Sequence, residues 1–79
     1  MFTKEQRREA LADKIESIRK ERGSTKTHVY TAANMSYLTY DRKLSGQSEF
    51  TFAELIDIAN ALGVSVSSLV EVTEEAQAA

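Results

Sequence analysis

The chain has no cysteine, no proline and no tryptophan, and only one histidine and three glycines in 79 residues. Without cysteine there is no disulfide framework and no Cys-based zinc site. A lone histidine, His28, excludes a multi-histidine metal centre and reads as a surface residue. No run approaches the roughly 18 apolar residues of a membrane span. The N-terminal MFTKEQRREALADK is basic but lacks an apolar core, so no secretory signal is expected. There is no glycine-rich phosphate loop, no catalytic cysteine and no metal cluster, so an enzyme is not expected. Neither a cofactor nor a small-molecule ligand is expected, and the location expected is the cytoplasm.

Positive charge is absent from the whole second half. All ten lysines and arginines lie within residues 1–43, against six acids, a balance of +4. Residues 44–79 hold six acids and no base. The net charge of -2 does not announce a nucleic-acid binder, but the asymmetry suggests one face that meets polyanions and one that turns away. Taken singly, the charges also suit an ordinary helix surface, with Glu16 and Lys20 as a favourable i,i+4 pair. A chain of this length makes one modest core, and 42% hydrophobic with 28% charged residues fits a globular domain rather than disorder.

Gly23, Gly46 and Gly63 divide the chain into helical segments, because glycine accepts the left-handed conformation that commonly follows a helix. The first segment runs from about Lys4 to Arg22. Thr3 is its expected cap, and Leu11, Ile15 and Ile18 repeat as an apolar stripe. After Ser24 and Thr25 comes a short helix from about Lys26 to Ala32, with Val29 and Ala32 or Ala33 inward. A tight turn at Ala33-Asn34-Met35 follows, with Asn34 as the left-handed residue. Ser36 caps a third helix ending at Leu44, with Tyr40 and Leu44 on one face. Met35 and Tyr40 are placed to form a hydrophobic staple. Thr51 and Glu54 spell a capping box for the fourth helix, with Phe50 and Leu55 as its staple. Phe52, Leu55, Ile56, Ala59 and Leu62 read as its buried face. Ser65 starts a short fifth helix to about Val70. The expectation is a single all-α, five-helix domain over residues 1–72, with a frayed acidic tail at 73–79.

Two short helices meeting at a tight turn, braced on both sides, form the helix-turn-helix arrangement. Several stretches resemble the phage Cro and repressor type, the XRE family with its lambda-repressor-like fold. ALADKIESIRKERG matches the first helix and TKTHVYTAANMS the second helix and turn. YLTYDRKLSG matches the recognition helix, and FTFAELIDIANALGVSVSSL the last two helices. The last piece is the most specific, and the match spans Leu11 to Leu69.

The resemblance implies a phage or bacterial transcription regulator, nucleoid-associated in a bacterial host, whose partner is double-stranded DNA. A recognition helix at 36–44, opening at Ser36, would enter the major groove. Tyr37, Leu38 and Arg42 would meet bases, Arg42 with the bidentate geometry that suits guanine. Thr25, Lys26, Lys43, Ser45 and Ser48 would approach phosphates. Any homodimer would form through the C-terminal helix and tail, where Val64, Val66, Leu69, Val70 and Val72 supply an apolar patch. Three positions depart from the family pattern: Lys26 stands where glutamine is common, Tyr30 where alanine is, and Asn34 where glycine is. A tyrosine at the helix–helix contact requires either splayed helices or a partly exposed ring. The alternative function is a protein-interaction module on the same fold, binding a polymerase subunit, a repressor or a toxin.

Overall fold

The computed structural model describes residues 4–70, apart from the side chains of Lys4, Glu5 and Arg7. The expected Thr3 cap, Val72 and the tail at 73–79 lie outside the described residues. Four helices, α1 (Lys4–Glu21), α2 (Lys26–Ala32), α3 (Tyr37–Leu44) and α4 (Phe52–Leu62), are followed by a helical stretch, α5, at 66–70. There is no strand among the described residues. The all-α, five-helix architecture expected from the sequence is therefore what the described residues adopt.

Local chemistry sets the element boundaries. Thr25, Ser36 and Thr51 each have extended backbone, and each accepts a backbone N–H three residues on. Such caps satisfy donors that the first helical turn leaves unpaired. Thr51 and Glu54 form the full reciprocal capping box. At the other end of α4, Gly63 adopts φ 73°, so the Val64 N–H can donate to the Ala59 carbonyl at 3.0 Å. Between α2 and α3, Asn34 is the one non-glycine residue described with positive φ, at 59°. It supplies the left-handed step at the position where the resembled family commonly has glycine.

The core joins all five helices. Ile15 and Ile18 of α1 pack with Val29 and Ala33, Met35, Tyr40, the α4 residues Leu55, Ile58, Ala59 and Leu62, and Leu69. Ile15, Val29, Tyr40, Ile58 and Leu69 are completely buried. α2 packs on α4, and α3 packs on both α1 and α2.

Two apolar expectations are corrected. Phe52 is 67% exposed and Ile56 38% exposed, so neither belongs to the buried face of α4. At about 100° per residue, Leu55, Ile58, Ala59 and Leu62 cluster on one side, while Ile56 lies about 100° away from Leu55. Ile58 takes the place assigned to Ile56. At the C-terminal end the apolar residues pack inward in part. Leu69 is buried, and Val64, Val66 and Val70 are half-buried against the domain's own core.

Candidate nucleic-acid interface

α3 is a short helix held from three sides. Its Ser36 cap accepts the Thr39 N–H at 3.2 Å and donates its hydroxyl to Thr39 Oγ1 at 3.0 Å. Its inward residue, Tyr40, is fully buried, yet its phenol donates to Glu16 Oε2 of α1 at 3.2 Å. A buried hydroxyl with a partner avoids the desolvation cost of an unpaired one. Tyr40 also sits in a run of rings. Tyr30 lies 6.0 Å from it, Phe50 lies 6.2 Å away on the other side, and Tyr37 is 6.1 Å from Tyr30. Tyr30 is half-buried, so its ring fills the α2–α3 contact with one edge open to solvent.

Glu16 is the hub of a polar network beneath this pair of helices. Arg19 donates to both of its oxygens, at 2.8 and 3.1 Å, and also to the Ser24 carbonyl at 2.8 Å. Lys26 Nζ lies 3.9 Å from the same carboxylate. The network ties α1 to the turn after it, to the start of α2 and to the phenol of α3. The carboxylate therefore faces Arg19 and Lys26 in place of the expected partner Lys20. Burial alone would raise the pKa of Glu16, but the hydrogen bond and charge of Arg19, helped by Lys26 and Tyr40, hold it below the usual carboxylate value. Burial, then the charge of Glu16 and its hydrogen bond, push the Tyr40 phenol well above its usual value.

The far end of α3 is locked to α4. Lys43 donates to Glu54 Oε1, the oxygen that also accepts the Thr51 N–H in the capping box. The two side chains are only 11% and 18% exposed. Lys43, an expected phosphate contact, has its ammonium on a carboxylate here. A third tie joins Arg8 to the α3–α4 loop, through Glu49 at 3.1 Å and the Gly46 carbonyl at 3.0 Å.

The remaining face of α3 is open. Tyr37 and Leu38 are each 55% exposed, and Asp41 and Arg42 are also exposed. Neither the Asp41 carboxylate nor the Arg42 guanidinium has a side-chain partner among the described residues.

The profile of one protein family, the BetR domain, matches residues 4–79. The chain belongs to the BetR domain family. Comparison with curated proteins and with solved structures gives no match.

In this BetR domain, a small helical one, the residues singled out from sequence fall into two groups. Ser36, Tyr37, Leu38 and Arg42 come together at the start and on the outer face of α3. Ser45 and Ser48 are exposed on the segment that follows, Ser45 donating to the Arg42 carbonyl at 3.0 Å. Thr25 is exposed as the cap of α2, and Lys26 is half-buried with its ammonium near Glu16. His28 is exposed, its Nε2 3.3 Å from the Ala61 carbonyl of α4. Sequence reasoning missed Glu16, Glu54 and Arg8 as organisers of the site. The sequence marks Glu54 as part of a capping box, but nothing local signals its second partner, 11 residues away. Among the described residues there is no cluster that could hold a metal ion, and no helix long and apolar enough to cross a membrane.

Proposed function

We propose that this BetR domain is a sequence-specific DNA-binding transcriptional regulator of the helix-turn-helix, XRE type, with α3 as the helix that enters the major groove. One observation carries the reading. α3 is capped, packed and cross-braced on its inner side, while Tyr37, Leu38 and Arg42 stand exposed together on its outer side. A rigid helix with an open mixed face is what base-edge reading requires. Two exposed apolar groups suit thymine methyls, and the free guanidinium suits guanine. Thr25, Lys26, Ser36, Ser45 and Ser48 would fix its register on phosphates. A selection of bound duplexes from a random pool tests the reading. Enrichment of a defined motif is the expected result, and no enrichment at low salt would overturn it.

A second reading, a protein-interaction module, is favoured by a different observation. Lys26 and Lys43, two cations assigned to phosphates, both face carboxylates, and Phe52 stands 67% exposed at the start of α4. Such a module would leave double-stranded DNA unbound even at low salt, where non-specific phosphate contacts are strongest.

A further inference from the structure

We propose that Asp41 is a specificity-determining residue of α3, and that it requires a cytosine in the bound half-site. The inference rests on the DNA-binding reading above and deepens it. With Tyr37 as reference, Asp41 lies about 40° round the helix, Leu38 about 100° and Arg42 about 140°. Asp41 is thus inside the exposed face, between Tyr37 and Leu38, and not at its edge. It is itself exposed and makes no side-chain hydrogen bond or ion pair among the described residues. Lys43 and Lys26 face other carboxylates, Glu54 and Glu16, and the neighbouring Arg42 makes no ion pair with Asp41. A carboxylate without an ion-pair partner therefore stands within a surface that would face a polyanion.

An ionised carboxylate only accepts hydrogen bonds. In the major groove guanine shows only acceptors, and thymine shows an acceptor and a methyl group. Both repel it, as do phosphates. Adenine offers an amine, but beside its own N7 acceptor. Cytosine alone offers an amine with no acceptor of its own next to it. Asp41 next to Arg42 then reads cytosine where Arg42 reads guanine, and penalises every sequence that lacks the cytosine.

The test is fluorescence anisotropy of the wild type, Asp41→Ala and Asp41→Asn on duplexes from the random-pool selection. The wild-type motif is expected to hold one cytosine per half-site, and replacing it should weaken binding roughly 5- to 150-fold, as for one good base contact. Asp41→Ala should bind all four bases at that position alike. Asp41→Asn should shift the preference to adenine, which asparagine pairs through N6 and N7. Both variants alter an exposed, unpartnered side chain, so their melting should match the wild type. Cytosine preference retained by Asp41→Ala would overturn the assignment. So would a uniform gain in affinity for every duplex, which would make Asp41 only a repulsive charge. A wild type that binds no duplex at low salt removes the DNA-binding reading and this assignment together; binding without cytosine dependence removes the assignment alone.

Discussion

Arg42 and Tyr40 are two positions apart on α3 and do opposite things. Arg42 is exposed with its guanidinium free, so its removal should leave the fold intact. Arg42→Ala is expected to weaken specific binding by about 1–3 kcal/mol, as for one bidentate base contact, with melting unchanged. Unchanged affinity for the selected site in a gel-shift titration would remove it from the base-reading set. Tyr40 acts through Glu16, and Glu16 links stability to pH. Its carboxyl is held below the ordinary value in the folded chain. Its contribution is thus fully present at neutral pH and is lost as pH falls through the acidic carboxylate range. Glu16→Gln should cost about 1.5–3 kcal/mol at pH 7, the range for hydrogen bonds to charged groups, and should flatten the fall in stability at acid pH. Urea denaturation of both proteins from pH 7 down to 3 measures this. An equally steep fall in the variant would place the acid sensitivity elsewhere, with Glu54, also held low, as the next candidate.

At the scale of the elements, the helices were legible because their signals are local. Thr25, Ser36 and Thr51 cap within three residues of themselves, and Asn34 and Gly63 announce their own backbone conformation. Face assignment failed where it depended on packing direction. Phe52 and Ile56 are as apolar as Leu55, and only the angle at which α4 meets its neighbours leaves them outside. Ion pairing was illegible for a related reason. Lys43 looks like any lysine at a helix end until α4 brings Glu54 to it. That contact separates two lysines that the sequence treats alike. Lys43→Met should lower stability by more than the ~1 kcal/mol of an exposed pair, because its partner is left half-buried, and should leave the salt dependence of DNA binding unchanged. Lys26, whose side chain is 43% exposed, sits loosely at 3.9 Å from Glu16 and can turn to a phosphate. Lys26→Met should flatten the slope of log affinity against log salt by about 0.9, one phosphate contact. If Lys43→Met flattens it instead, the ammonium exchanges Glu54 for phosphate on binding.

The whole molecule gives the charge asymmetry a second meaning. A +4 first half and a second half with no base suggest two opposed faces. The fold instead brings the halves together at two points, Arg8 with Glu49 and Lys43 with Glu54. Part of the asymmetry is therefore internal complementarity, and the unpaired cationic surface is smaller than the sequence implies. On the proposed DNA-binding reading, a small phosphate footprint would give weak non-specific affinity per chain and make two-fold binding useful, since two linked half-sites multiply their effects. The described apolar residues at the C-terminal end are largely engaged, however: Leu69 is buried, and Val64, Val66 and Val70 pack in part on the core of their own chain. The free protein should therefore sediment as a monomer at micromolar concentration, and two copies should assemble only on DNA. On a duplex with two half-sites about 34 Å apart, one helical turn, binding should be cooperative, and inserting half a turn between them should abolish the cooperativity. Sedimentation velocity without DNA and titrations of the two duplexes decide it. A dimer without DNA would mean that another surface, with the exposed Phe52 and Ile56 of α4 as the first to mutate, holds the chains together.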